Sequence, residues 1–230
     1  LEAAARATGV QDHLTVVRAA VSDRPGMLEF SDAGPYGTIA TARTRSDGWQ
    51  AVQVEATTID ALAAEAGGGF RWLKIDIEGA ECAALGAGRA TLAGLRGLVI
   101  ESNGFMLGEH GCSAERLLAL LAGAGLGVFS VSGTTLSATG TAVQAVTTVD
   151  YVATHGVPPL PDGWGIGEPA RREALVADLL AELHHPVPQH RAYALAVARR
   201  APAWLRLRPA VRRAVRALAA EDNPYVTRAP

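Results

Sequence analysis

Apolar residues in the first two thirds of the chain alternate between the spacing of strands and the spacing of helices. In the clearest strand-like segment, Leu73, Ile75 and Ile77 lie on one face, whereas Lys74 and Asp76 lie on the other. Segments of this kind alternate with segments rich in alanine and leucine that have the length of helices. The pattern predicts an α/β fold with a largely parallel sheet.

The predicted elements follow from this pattern and from turn and capping residues. The predicted strands are 13–21, 27–30, 52–56, 70–77, 98–101, 128–131, 142–147 and 149–153. The predicted helices are 1–8, 58–66, 80–95, 113–123, 169–184, 189–200 and 209–221. Because residues 22–26 have the composition of a turn, we expect 13–21 and 27–30 to pair as a hairpin. Strands 142–147 and 149–153 are expected to be antiparallel.

Composition places the 230-residue chain among ordinary globular proteins, with 49% hydrophobic and 19% charged residues. A net charge of −2 gives no global reason to expect a nucleic-acid partner. The longest nearly apolar segment, 117–129, is too short to span a bilayer, and no signal peptide is visible. Cys82 and Cys112 are far apart in sequence, so we expect reduced thiols in a cytoplasmic protein.

The sequence changes character near residue 155. Prolines and glycines indicate a linker, after which residues 156–230 form a helical, arginine-rich tail. Within it, Trp204, Leu207, Val211, Val215 and Leu218 follow helical spacing, with arginines between them. One interpretation is a surface for an anionic membrane or an acidic partner. We favour the other, a helix that docks on the sheet domain and leaves its arginines in solvent.

The residues that carry chemistry lie at the end of strand 70–77. Asp76 and Glu78 are expected at its carboxyl end, where open α/β sheets bind ligands, and Gly79 allows close backbone approach. Lys74, the only lysine of the chain, is expected to pair with a carboxylate. The alternative is that Asp76 or Glu78 caps the following helix while Glu81 complements its dipole.

Two further groups of residues are weaker candidates. Ser22 and Asp23 end a strand and could bind a ligand, but they also fit a simple turn. His184, His185 and His190 flank two prolines and have no acidic or cysteine cluster beside them, so we expect no metal site.

Five segments, in order, resemble the FkbM family of S-adenosylmethionine-dependent methyltransferases. The most specific is the nonapeptide at 73–81, usually met in the family as IKIDVEGAE. The segments are VRAAVSDRPG at 17–26, TTIDAL at 57–62, LKIDIEGAE at 73–81, LGAGRATL at 85–92 and LVIE at 98–101. The resemblance covers about residues 1–153.

The resemblance implies a class I, Rossmann-like methyltransferase sheet, with S-adenosylmethionine as cofactor and a hydroxyl of a small molecule or glycan as methyl acceptor. It implies catalytic roles for Asp76 and Glu78 and places Ser22 and Asp23 beside the adenosine. Lys74, Gly79, Glu81 and Glu101 become residues that bind substrate or shape the site. Residues 1–155 would form the methyltransferase part of the chain.

Two departures from the family pattern limit this reading. The glycine-rich cofactor loop and the first two strands are expected upstream of Leu1, so we interpret the chain as N-terminally truncated. Segments 14–20 and 71–77 should then be separated by a gap, with apolar residues such as Val17 and Ile75 left exposed. Ser102 and Asn103 also follow Glu101, where family members often have a histidine.

Two other function classes were weighed against the enzyme. A non-catalytic, partner-binding module is the second hypothesis, and the missing cofactor loop is its best support. An oxidoreductase would need a glycine fingerprint between a strand and a helix. The glycines at 123–127 instead follow a helix and precede a strand, so they favour an ordinary turn.

Overall fold

A computed structural model describes most of the chain. It covers residues 2–32, 37–46, 48–139, 148–167, 172–186, 191, 194–195, 198–199, 201 and 203–221. The strands are β1 Ala20–Val21, β2 Gly26–Asp32, β3 Thr38–Ile39, β4 Gln50–Thr57, β5 Trp72–Ile75, β6 Gly97–Asn103, β7 Gly127–Ser132, β8 Thr135–Ala138, β9 Thr148–Thr154 and β10 Gly165–Gly167. The helices are α1 Glu2–Thr8, α2 Ala42–Ser46, α3 Ile59–Glu65, α4 Glu81–Ala87, α5 Arg89–Gly94, α6 Gly104–Glu109, α7 Ala114–Gly123, α8 Arg172–Leu183, α9 Ala203–Arg206 and α10 Pro209–Ala219.

The larger sheet has six strands in the order β10-β8-β7-β9-β6-β5. β5 and β6 are parallel and are joined by α4 and α5, whereas β9 is antiparallel to both β6 and β7. The α/β class is therefore confirmed, but the sheet is mixed rather than largely parallel. β8 and β10 were not predicted, and the predicted strand 142–147 lies outside the described residues.

A second sheet has the order β1-β4-β2-β3. The predicted hairpin between 13–21 and 27–30 is wrong, because β4 lies between β1 and β2 and pairs with both. The predicted strand 13–21 is reduced to β1 for the same reason, since residues 14–19 have no strand beside them. Val17 in this segment is 51% exposed.

Segments 14–20 and 71–77 lie in different sheets, as expected, and no ladder joins them among the described residues. Within those residues β5 pairs only with β6, so its other edge carries no strand. Val17 is exposed as predicted, but Ile75 is not: it is only 5% exposed and packs in the main core. That core includes Leu85 of α4, which covers the β5–β6 pair.

The predicted helix 80–95 consists of two helices that meet at Gly88. A Cβ at Gly88 would lie 3.0 Å from Ile59 Cβ, so α3 packs closely against this joint. The Asp60 carboxylate of α3 accepts hydrogen bonds from the backbone N–H groups of Ala90 and Thr91, at 3.2 and 2.8 Å. A side chain from another helix thus caps the first turn of α5.

The expectation of reduced thiols is wrong. Cys82 in α4 and Cys112 between α6 and α7 form a disulfide, with their Cα atoms 6.3 Å apart. Both cysteines are partly buried against the main core, where α4 contacts α7. Since the reduced thiols were the sequence argument for a cytoplasmic protein, that localisation loses its support.

The tail forms a second core, which we call the tail core, around helices α8, α9 and α10. It includes Leu179, Leu205, Val211 and Leu218, and Phe105 of α6 packs in the same cluster. Val211 and Leu218 are buried, as the docked-helix interpretation expects, but α10 packs on α8 and α9 rather than directly on a sheet. The predicted helix 189–200 lies largely outside the described residues. Within the described ranges, no helix has both the length and the hydrophobicity that a bilayer span requires.

Leu207 departs from the predicted apolar stripe, since it is 59% exposed. Helical spacing placed it with Val211, but α9 ends at Arg206 and α10 begins at Pro209. Proline has no N–H to continue a preceding helix and is favoured at the first helical position. The break turns Leu207 away from the tail core.

We predict that Val211→Asp lowers the free energy of unfolding by at least about 3 kcal/mol, because it places an unpaired charge in the tail core. Ala217→Asp, at an exposed position of the same helix, is the matched control and should change stability by less than about 1 kcal/mol. Urea unfolding followed by circular dichroism measures both. Equal stabilities of the two variants would contradict the docked position of α10.

Candidate functional site

A strained turn connects β5 to α4. Glu78 has φ of 49°, and it is the one non-glycine residue in the described part of the chain with a positive φ. Gly79 follows with φ of 105°. Left-handed backbone is unfavourable for residues with a side chain, and it persists where the surrounding structure enforces it. The turn at the end of β5 is therefore held in place by its neighbours.

Gly79 is required by space as well as by backbone geometry. A Cβ at this position would collide with the Met106 carbonyl oxygen and with the ring of His110. The turn thus packs directly against α6 and the residue that follows it. No other residue type fits here without moving that backbone.

The buried carboxylate of Glu81 holds the turn from within. Its side chain is fully enclosed, and Oε1 accepts hydrogen bonds from the backbone N–H groups of Ile77 and Gly79 at 3.3 and 3.1 Å. Oε2 has no hydrogen-bond partner among the residues that the structure describes. Burial raises the pKa of the Glu81 carboxyl above its usual value, although these N–H groups oppose the shift.

The helix-cap alternative for Asp76 and Glu78 is contradicted. The N-cap of α4 is Ala80, and no side chain makes a capping hydrogen bond there. Glu81 lies in the first turn of α4, as the dipole argument expected, but its carboxylate binds residues that precede the helix. The side chains of Asp76 and Glu78 are thus not occupied as helix caps.

Thr38 and His110 hold the carbonyl group of Glu78. The buried Thr38 hydroxyl donates to the Glu78 carbonyl oxygen at 2.8 Å, and Thr38 Oγ1 lies 3.2 Å from His110 Nε2. Because the single hydroxyl proton is used on the carbonyl, Nε2 of His110 must be the donor to Thr38. Burial lowers the pKa of His110, so the ring is neutral near pH 7 with its proton on Nε2.

Three carboxylates lie around Lys74 at the carboxyl end of β5 and β6: those of Asp76, Glu101 and Asp150. Lys74 Nζ pairs with Asp76 at 2.8 Å, which confirms the predicted pairing, although both side chains are exposed. Glu101 of β6 and Asp150 of β9 face each other across the ladder, and both act electrostatically on Lys74. An exposed pair of this kind contributes about 0–1 kcal/mol to stability, so its position in the site matters more than its energy.

These carboxylates influence one another. Partial burial raises the pKa of Glu78, and the negative charges of Asp76, Glu101 and Glu81 raise it further. Burial also raises the pKa of Glu101, together with Asp76 and Asp150, while Lys74 opposes the shift. A carboxylate with a raised pKa is a better proton acceptor near neutral pH.

A pocket of about 280 Å³ lies on the other side of the turn. Ser22 and Asp23 line it together with Gly79, Cys82 and His110. The predicted turn at residues 22–26 is present, and Ser22 Oγ donates to the Asp23 carboxylate at 3.2 Å. The two interpretations of Ser22 and Asp23 are therefore compatible, because the turn itself forms a wall of the pocket.

A family model described as the methyltransferase FkbM domain matches residues 4–126. The chain belongs to the FkbM methyltransferase family. The FkbM match covers more than half of the chain and contains β1 to β6, helices α2 to α7 and most of α1. No curated protein and no solved structure matches the chain.

The FkbM motif at 73–81 supplies three different kinds of residue. Asp76, Glu78 and Lys74 lie in the carboxylate cluster with Glu101, Gly79 lines the pocket, and Glu81 supports the turn from inside the protein. Ser22 and Asp23 lie across the pocket from the motif rather than in the carboxylate cluster. The predicted residues thus form two groups, separated by the Glu78–Gly79 turn.

Three residues of the FkbM site were missed from the sequence. Thr38 lies in the second sheet, His110 follows the unpredicted helix α6, and Asp150 comes from β9. The sequence contained a signal for the pairing of Asp150 with Glu101, because both residues lie in or at the end of predicted strands, 149–153 and 98–101. The sequence contained no such signal for Thr38 and His110. Tertiary packing alone brings Thr38 to the Glu78 carbonyl and His110 to Thr38.

We predict that the stability of Glu81→Gln relative to the wild-type protein depends on pH. The wild-type carboxyl has a folded-state pKa above its ordinary value of 4.5, so the folded state favours the protonated form. Its contribution to stability is fully present below pH 4.5 and is lost as the pH rises through the folded-state pKa. Wild-type protein should therefore lose stability relative to Glu81→Gln as the pH increases.

Urea unfolding at a series of pH values between about 4 and 8 measures this difference. Glu65→Gln, at an exposed position of α3, is the matched control and should shift stability by less than about 0.5 kcal/mol. If the difference in free energy of unfolding between wild type and Glu81→Gln stayed constant with pH, the raised pKa of Glu81 in the folded state would be contradicted.

Proposed function

We propose that this FkbM domain transfers a methyl group from S-adenosylmethionine to a hydroxyl group of a sugar or secondary metabolite. One observation carries the proposal: a single strained turn separates a pocket lined by Ser22 and Asp23 from a cluster of carboxylates that includes Asp76, Glu78 and Glu101. A cofactor subsite and a proton-accepting subsite would thus adjoin each other. The FkbM family match supplies the reaction class.

The pocket suits the nucleoside portion of the cofactor. Its volume of about 280 Å³ is at the lower end of the range for small-molecule sites. The Asp23 carboxylate can accept hydrogen bonds from sugar hydroxyls, and Gly79 is part of the pocket wall. When bound, S-adenosylmethionine supplies an electrophilic methyl group on a positively charged sulfur.

The carboxylate cluster suits the acceptor. As the acceptor oxygen forms its bond to the methyl carbon, the carbon–sulfur bond breaks and the hydroxyl proton must leave. Glu78 is the proton acceptor in this scheme, since its raised pKa makes it more basic than an ordinary carboxylate. Asp76, held by Lys74, orients the hydroxyl. Thr38 and His110 fix the Glu78 backbone, so they position that carboxylate.

A non-catalytic, partner-binding module remains a second candidate, and the free edge of β5 favours it. Among the described residues this edge has no strand beside it, and exposed strand edges pair readily with other segments. Methyl transfer distinguishes the two candidates. A module of this kind would bind its partner equally well after substitution of Asp76 and would transfer no methyl group.

We predict that the 230-residue chain binds S-adenosylmethionine weakly or not at all. The pocket accommodates only part of the cofactor, and no glycine-rich turn between a strand and a helix lines it in the described ranges. Calorimetric titration should show no saturation below about 1 mM. Adenosine, as the matched ligand, should bind no more weakly than the whole cofactor. A micromolar dissociation constant for S-adenosylmethionine would contradict this prediction.

We predict that Asp76→Asn lowers turnover by about 10²- to 10⁴-fold, assayed at a concentration of S-adenosylmethionine that supports turnover by the wild-type protein. The reason is that the neutral amide cannot hold a hydroxyl as a charged acceptor does. The free energy of unfolding should change by less than about 1 kcal/mol, since Asp76 makes only an exposed ion pair. Transfer of labelled methyl groups to a panel of glycans and hydroxylated metabolites measures turnover. Asp12→Asn is the matched control at an exposed position.

Two outcomes would overturn these assignments. If Asp76→Asn lost stability and turnover in parallel, Asp76 would have a structural role and not a catalytic one. If the wild-type protein transferred no label to any acceptor while binding another protein tightly, the partner-binding candidate would replace the enzyme.

A further inference from the structure

Five arginines at the end of the tail form one positively charged surface, which we call the basic face. Its members are Arg206, Arg208, Arg212, Arg213 and Arg216, and all five are exposed. Residues 203–220 contain no aspartate or glutamate. None of the five makes an ion pair with another described residue. The basic face therefore keeps its full charge in a chain whose net charge is −2.

Packing of α10 fixes the direction of the basic face. Val211 and Leu218 are buried in the tail core. At 3.6 residues per turn, Arg212, Arg213 and Arg216 fall on the opposite side of the helix, within an arc of about 100°. Because the apolar side of α10 is already used inside the protein, the arginines are presented outward on a fixed support.

An exposed apolar side chain lies beside the arginines. Leu207 is 59% exposed and stands between Arg206 and Arg208 at the break between α9 and α10. Trp204, one turn earlier, is half-buried. Because Trp204 packs against the tail core, Leu207 is the apolar side chain that the surface presents to solvent. Cationic side chains beside an exposed leucine are typical of surfaces that lie in the headgroup region of a bilayer.

We propose that the basic face binds the surface of an anionic lipid bilayer. Arginines contact the acidic headgroups, and Leu207 enters the boundary between headgroups and acyl chains. A nucleic acid also carries phosphates, but Leu207 would gain nothing from contact with a phosphate backbone.

Binding of the 230-residue chain to sedimented lipid vesicles tests this proposal. Vesicles of phosphatidylcholine with about 30% phosphatidylserine should bind the protein, whereas pure phosphatidylcholine should not. Each arginine near an anionic surface contributes about a fivefold factor in partition, so Arg212→Gln/Arg213→Gln/Arg216→Gln should bind about 100-fold more weakly. Replacement of the same three arginines by lysine should restore most of the binding.

The matched control removes the same charge from other elements. Arg89, Arg96 and Arg116 are exposed on α5, before β6 and on α7, so the triple change to glutamine gives an identical net charge. This variant should retain vesicle binding within about threefold of wild type. Leu207→Ser should weaken binding by about fivefold to tenfold at unchanged melting temperature, because the side chain is exposed in the free protein.

Three results would overturn the proposal. The first is equal vesicle binding by the α10 triple variant and the control triple variant. The second is vesicle binding that Leu207→Ser leaves unchanged, which would leave only diffuse charge attraction. The third is tighter binding to a DNA duplex than to the vesicles at the same salt concentration, which would assign the basic face to nucleic acid.

Discussion

The site depends on one buried carboxylate. Glu81 accepts the N–H groups of Ile77 and Gly79 and thereby folds the chain back on itself at the end of β5. Without that acceptor, the buried N–H of Gly79 would be left unpaired, at a cost of about 1–3 kcal/mol, and the partly buried N–H of Ile77 would lose its partner too. Glu78, whose backbone is left-handed, is part of the same turn. The hydrogen bonds of Glu81 therefore fix both the backbone that carries the Glu78 carboxylate and the position of Gly79 in the pocket wall.

Support for this turn comes from three places that are distant in sequence. Thr38 arrives from the second sheet, His110 from the end of α6, and the Cys82–Cys112 disulfide joins α4 to the segment after α6. Each contact meets the turn from a different direction. The small sheet is thereby tied to the large one at the same point where the proposed chemistry takes place.

Local rules predicted the parts of this structure that local interactions determine. Ser113 caps α7, as its helix-start signal predicts. The alternation from Leu73 to Ile77 identified β5 and the motif beside it. Non-local choices were beyond those rules. β4 lies between β1 and β2 because it pairs with both, and the choice of strand partners is not encoded locally. The disulfide likewise depends on tertiary packing, which brings α4 next to the segment after α6. The spacing rule also failed at Leu207, where a proline interrupts the helix.

The disulfide has a consequence for how the chain is connected. Cys82 and Cys112 are separated by 30 positions, and the covalent ring that they close contains most of α4 and the whole of α5, β6 and α6. The crossover between the two parallel strands is therefore part of a macrocycle. A peptide bond cut anywhere between the two cysteines would leave a single covalent molecule, with β5 and β9 still attached to one another. Two fragments would separate only on a reducing gel.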